Sequence, residues 1–208
     1  VRGVELVDKT AVRWVRAGDE LTSPMPDENW TSLEYDDSGW PRKAPPFFGE
    51  YGPAWRAGAS LYCYRAKFAV IDPVRVRGLR LSLTLRGGAV VFVNGKEVGR
   101  AYMPKGDIDL TTYADGYPRE AYVTRDGGKL PNPGGKPPTV TNDLMHHFQL
   151  RLRPVKIEIP SDVLQKGTNI IAVRMHRAEP FEGEGGESWN TVGMVSAELS
   201  ARSGSAIQ

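Results

Sequence analysis

Residues 79–86 read Leu-Arg-Leu-Ser-Leu-Thr-Leu-Arg, and that pattern limits the fold more than anything else in the chain. Leu79, Leu81, Leu83 and Leu85 share one side, and Arg80, Ser82, Thr84 and Arg86 share the other. A strict period of two marks a strand with one buried and one solvated face, whereas a helix would scatter the leucines around its circumference. A little further on, Val90–Val93 runs into Asn94-Gly95 and then Lys96–Arg100. Asn-Gly between such runs is a strong hairpin signal, because a type I′ turn needs positive φ at both central residues. With the run Leu61–Val70 before it, the block 61–100 holds four strand-like runs and predicts antiparallel β structure.

The same pattern recurs on both sides of the block. Residues 4–7 and 11–15 give two short strand-like runs, and Trp30–Tyr35 reads as another. Residues 36–41, Asp-Asp-Ser-Gly-Trp-Pro, are turn chemistry. Residues 41–60 form a loop rich in Pro and Gly that carries aromatic side chains. A second irregular stretch, about 103–143, is long for a compact domain and reads as an insertion on the surface. Alternation resumes over 146–159, with Phe148, Leu150 and Leu152 facing inward and His147, Gln149, Arg151 and Arg153 outward. Pro154 in that run suggests a bulge or an edge strand. A short helical turn follows at 160–167, and 169–177 and 192–201 read as the last two strands. About nine or ten strands with no helix of three turns predict an all-β chain: one antiparallel β-sandwich of jelly-roll type spanning 1–208, with a long irregular insertion.

Composition excludes several functions. The formal charge is +2 over 208 residues. Nucleic-acid binding needs a concentrated basic surface, which this balance does not suggest; Arg151, Arg153 and Lys156 are expected on a solvated strand face. The single cysteine, Cys63, cannot build a disulfide framework or a cysteine zinc site, and is expected as a small buried hydrophobe. No apolar run approaches the roughly 20 residues of a membrane helix. No signal peptide is visible, and the chain starts at Val1 without methionine, as a processed chain or an excised piece of a longer one would.

Strand alternation also orders the loops. If each strand reverses direction, the loops 41–60, 103–143 and 177–191 gather at one end of the sandwich, and the Asn94-Gly95 turn falls at the other. The first end then collects Tyr51, Trp55, Arg56, Tyr113, Tyr117, Tyr122, Arg177, Glu182, Glu187 and Trp189. Sugars present flat C–H faces that suit aromatic rings, and Arg and Glu can bond their hydroxyls. The predicted ligand-binding residues are therefore Tyr51, Trp55, Arg56, Tyr117, Arg177, Glu187 and Trp189. The competing expectation is that these aromatics pack the long loops onto the sandwich.

Asp36 and Asp37 have two readings. They are the candidate metal residues of a calcium loop, since calcium favours clustered oxygens. Alternatively they form an Asx-type turn that positions Trp40. They are no glycosidase pair, which needs two carboxyls facing each other about 5–10 Å apart. His146, His147 and His176 are expected in structural or surface roles. No serine elbow, zinc-protease helix, P-loop or dinucleotide fingerprint is present, so no catalytic residue is assigned and no cofactor is required.

Trp30, Asp36, Asp37, Trp40, then Tyr64, Arg65 and Phe68, then Val93-Asn94-Gly95, then Gly167, Asn169, Val173 and His176 together resemble the galactose-binding-like jelly roll. The pattern is most similar to the sugar-binding domain beside the catalytic barrel of family 2 glycoside hydrolases. The likeness covers most of 11–102 and 155–201 and leaves the insertion unmatched. It implies a non-catalytic carbohydrate-binding module of a larger protein, with a polysaccharide or glycan and neighbouring domains as partners. It also implies an extracellular, periplasmic or cell-surface location and, as in many relatives of the fold, a structural calcium. A structural spacer or protein-interaction module without glycan binding is the alternative.

Overall fold

The computed structural model describes residues 4–5, 10–16, 26–40, 42–43, 59–109, 111–128, 146–147, 149–181 and 192–202. Ten strands lie among them: β1 (Val4–Glu5), β2 (Thr10–Arg16), β3 (Arg42–Lys43), β4 (Ala59–Val70), β5 (Arg80–Arg86), β6 (Gly88–Val93), β7 (Lys96–Ala101), β8 (Arg153–Glu158), β9 (Gly167–His176) and β10 (Gly193–Ser200). They form two open antiparallel sheets, one ordered β1-β10-β5-β8 and the other β3-β2-β4-β9-β6-β7. The all-β sandwich read from the sequence is the architecture observed.

The alternating leucines sit where their pattern put them. Leu81, Leu83 and Leu85 of β5 are buried against Tyr62, Tyr64 and Phe68 of β4 and Val91 and Val93 of β6. That cluster draws on both sheets and is the main core. Long strands in the middle of the larger sheet are buried on both faces. Tyr62, Tyr64, Ala66, Phe68 and Val70 of β4 enter the main core, whereas Leu61 and Cys63 point the other way. There they meet Trp30, Trp40, Ile170 and Ala172 under the segment 26–40. Trp30 and Trp40 stack with centroids 6.1 Å apart.

Arg65, on that outer face of β4, fastens the segment. Its guanidinium donates to Asp37 Oδ2 at 3.0 Å, to the carbonyl of Ser32 at 2.9 Å and to that of Tyr35 at 3.4 Å, and also to the carbonyl of Trp30. The strand expected over Trp30–Tyr35 is instead a 3₁₀ turn, Glu28–Thr31, followed by turn residues. In an extended strand the carbonyls of Trp30 and Tyr35 would face opposite edges about 16 Å apart, so a curled backbone is needed to bring all three to one guanidinium.

The Asn94-Gly95 turn is as predicted, with φ of 49° and 83°. The Asn94 carboxamide reaches beyond its own hairpin. It donates to Val163 O at 2.9 Å and Asn169 Oδ1 at 2.7 Å, and it accepts from Ile170 N at 2.9 Å. Pro154 lies on β8, the edge of the smaller sheet, where its missing N–H costs no ladder bond.

The strand expected over 146–159 is only half realised. Residues 146, 147 and 149 are helical, Leu150 N donates to His146 O at 3.1 Å, and extended structure begins at Arg153. The expected faces fail with it: His147, Arg151 and Arg153 are buried. Lys156 of the same run is exposed, as expected.

Candidate functional site

Register fixes which loops share an end. Leu61 and Gly88 both pair with His176, Ala89 with Ala101, Leu85 with Arg153, and Arg86 with Gly193. The chain entering β4, leaving β7, entering β8 and leaving β9 therefore emerges at one end, as alternation predicted. Asn94 and Gly95 lie at the other.

The described part of the insertion is stitched to this end by its backbone. Ala114 pairs with Ala178 in a parallel bridge, with Ala114 N donating to Arg177 O at 2.8 Å and Glu179 N to Ala114 O at 2.8 Å. Asp115 N donates to Tyr102 O at 2.9 Å. Gly88 makes this approach possible: a Cβ there would run into the Tyr102 carbonyl and Ala114. His176, fully buried, holds Thr112 O with Nδ1 at 2.8 Å. Burial, and secondarily the charge of Arg174, push the imidazole down to about 4. It is therefore neutral at physiological pH, and its Nδ1–H donates to the carbonyl.

Two arginines build the floor of the end. Arg153 donates to Gly87 O at 2.9 Å, Asp115 O at 2.8 Å and Gly116 O at 2.7 Å. Its guanidinium lies between two rings, 4.4 Å from the centroid of Tyr102 and 4.1 Å from that of Tyr117. Tyr117 Oη accepts the Gly87 N–H, and burial raises its pKa. Arg151 donates through Nε to Ala121 O at 3.0 Å and lies over Tyr122. Burial lowers the Arg151 pKa to about 10 and raises that of Tyr122 to about 12.

Tyr117, Ala121, Tyr122 and Ala178 form a small core of their own, with Leu150 and Phe181 against it. Tyr122 and Phe181 stack at 5.0 Å. Beside them opens a pocket of about 300 Å³ lined by Gly116, Tyr117, Tyr122, Glu179, Pro180 and Phe181. Its size suits one small polar ring more than a large ligand.

Of the predicted ligand-binding residues, Tyr51, Trp55, Arg56, Glu187 and Trp189 lie outside the described residues. Tyr117 is in the pocket wall, but it is buried, and its hydroxyl is bonded to Gly87. Arg177 is also at this end and buried, and its carbonyl takes part in the Ala114 bridge. Two aromatics at this end are exposed instead, Tyr102 and Tyr113. Tyr102 drew no attention in the sequence, where it is an ordinary residue closing a strand. What singles it out is a φ of 55°, which no sequence signal carries.

Asp36 and Asp37 do not fit a calcium loop. Asp36 Oδ1 accepts from Ser38 N at 2.9 Å in an Asx turn, which holds its carboxyl below the ordinary value. Asp37 is turned away to Arg65, and the neighbouring carbonyls that calcium would seek are taken by the same guanidinium. The oxygen ligands converge on a cation that the chain itself supplies. Among the described residues no three His, Cys, Asp or Glu side chains group to hold a metal ion, and no helix is long and apolar enough to cross a membrane.

The fold is similar to a part of several solved glycosidases, family 2 glycoside hydrolases among them. A β-glucuronidase of Bacteroides uniformis superposes with a TM-score of 0.52 at 15% identity, over 96% of this chain and 18% of that one. A β-glycosidase from Bacteroides vulgatus gives 0.51 at 13% identity, over 97% and 20%. A family 2 member from Bacteroides cellulosilyticus gives 0.51 at 13%, also over 97% and 20%. The chain thus spans about a fifth of the length of the solved structures it matches. No family model matches the sequence, and no curated protein matches it.

Proposed function

We propose that the chain is a non-catalytic carbohydrate-binding module of a larger glycoside hydrolase, acting outside the cytoplasm, in the periplasm or at the cell surface. The observation that carries this reading is the pocket at the loop end, walled by Tyr117, Tyr122 and Phe181 beside Glu179. Aromatic walls offer contact to the C–H faces of a sugar ring, and carboxylate and hydroxyl groups nearby can bond its hydroxyls. Likeness in fold to domain-sized parts of sugar hydrolases supports the same ligand class. A lone site of this size binds modestly. Its use would lie in raising the effective concentration of a tethered catalytic domain on a polysaccharide.

A second reading is favoured by one observation. Tyr117 and Tyr122 are withdrawn from solvent and hold the insertion in place. A spacer whose insertion docks against a neighbouring domain would need that and no sugar. Electrophoresis of the isolated chain through native gels cast with soluble polysaccharides separates the two. Retardation on at least one glycan, weakened in Phe181→Ala, is expected. The same gels with Trp55→Ala and Trp189→Ala test the two tryptophans selected from the sequence. Unretarded migration on every glycan would sink the binding reading and leave the spacer.

A further inference from the structure

Tyr102 is a bulky residue in the left-handed region, with φ of 55°, where side chains other than glycine are strained. It follows directly on β7, and glycine would serve this backbone better. The chain nevertheless spends a tyrosine here, and its ring is left exposed. One face of that ring rests on the Arg153 guanidinium. Arg153 cannot drift, because three carbonyls and the ring of Tyr117 fix it from the other sides. The Tyr102 carbonyl is tied to Asp115 N, so the main chain beneath the ring is anchored as well. A cation beneath the ring and a bonded carbonyl hold an aromatic ring in place, against the strain of its φ, at the end of the sandwich where the pocket lies.

We propose that Tyr102 is the stacking platform of the glycan site: a pyranose unit lays a face of axial C–H bonds on the ring, with Arg153 and Tyr117 as its rigid support. This rests on the carbohydrate-binding reading above. A preorganised ring costs little further ordering when a sugar docks, which is the use such strain serves at a binding site. The support also gives Tyr117, a wall of the pocket, a second part in the site: it positions the arginine beneath the platform. Arg153 is likewise a positioning residue. The guanidinium beneath the ring draws on its π electrons, so a second cation on the open side is disfavoured. The site therefore suits neutral and acidic pyranoses over amino sugars.

The test uses native affinity gels containing glucuronoxylan, galactomannan or arabinogalactan, with chitosan as the cationic contrast. Tyr102→Gly accepts the positive φ without strain and keeps the fold, as its melting curve will show, while the ring is lost. Retardation of the parent chain is expected to fall at least tenfold in Tyr102→Gly and to return in Tyr102→Phe, since the ring face and not the hydroxyl does the binding. Parent retardation that survives undiminished in Tyr102→Gly overturns the platform while leaving the carbohydrate reading intact. Stronger retardation on chitosan than on the other gels overturns the proposed ligand class. Free migration of the parent chain in all four gels overturns both the platform and the reading it rests on, and points to a neighbouring polypeptide as the cover for Tyr102.

Discussion

The guanidinium of Arg65 meets the carboxylate of Asp37 at 3.0 Å with both side chains almost wholly removed from water, 0% and 7% exposed. Twenty-eight residues separate them in the chain. Their bond joins the outer face of the larger sheet to the segment that covers it. Removing one partner leaves a buried charge without its counter-ion, which typically costs about 3–5 kcal/mol. Asp37→Ala and Arg65→Ala should each lose stability on that scale in urea unfolding followed by tryptophan fluorescence, since Trp30 and Trp40 lie in the segment itself. Arg65→Ala should be the worse of the two, because it also abandons the carbonyls of Trp30, Ser32 and Tyr35. A loss under about 1 kcal/mol in either would show that the segment is held by its tryptophans alone.

The same arrangement bears on calcium. An ion that binds only the folded state raises the melting temperature, and chelation must then lower it. With Arg65 already occupying the centre of the oxygen cluster, melting in EDTA and in millimolar calcium should coincide. A drop of several degrees on chelation would mean that an ion is held at residues beyond the Asp36–Asp37 turn.

Asn94 makes the second long-range tie. Its side chain satisfies Ile170 N and bonds to Val163 O and Asn169 Oδ1. Asn169 is in turn fully used, donating to Gln165 O and Gly167 O and accepting from Gln165 N. Asn94→Gly preserves the turn, since glycine takes positive φ freely, but it strands these partners. A loss of about 2 kcal/mol is expected from the orphaned groups. Asn94→Ala should lose more, because it adds backbone strain. If Asn94→Gly unfolds at the same urea concentration as the parent, the residue serves only its turn.

The contrast between Leu83 and Arg153 shows how much could be read in advance. Leu83 declares its face because an alternating strand leaves it nowhere else to go, and counting strand reversals from such runs put the starts of β4 and β8 and the ends of β7 and β9 at one end, as the register shows. Arg151 and Arg153 belong to a run that looks equally regular. Yet its first half coils into a helical turn, and both arginines are drawn inward by carbonyls supplied by residues 87–121. A bond to a backbone carbonyl leaves no mark on the partner's residue type, so no pattern could announce it. Trp30 misleads for a related reason: its surroundings read as β, but a single distant arginine requires its carbonyl and those of Ser32 and Tyr35 together. Tyr102 was invisible because its meaning lies in a dihedral angle. Tyr117 is selected in the sequence for its ring as a sugar contact, and in the structure that ring packs on Arg153, which lies against Tyr102.

His176 should make the fold sensitive to acid. Its folded pKa is depressed from 6.5 to about 4 by burial, with Arg174 adding repulsion and the bond to Thr112 O and the charge of Asp109 only partly offsetting them. Between those values the unfolded chain binds a proton that the folded chain refuses. Stability is therefore fully present above about pH 6.5, falls as the pH drops, and stops falling from this cause once the folded state also titrates near 4. From pH 7 to 4.5 the loss attributable to this one side chain is about 2 kcal/mol. Urea midpoints measured at both pH values in the parent and in His176→Gln isolate it. The variant starts lower, because it disturbs the bond to Thr112, but its stability should change with pH by that much less. Parallel pH profiles in the two proteins would mean that the imidazole titrates in the fold as it does in the unfolded chain, so that burial does not depress it; a buried anion as its principal partner would instead make the parent gain stability over the variant as the pH falls.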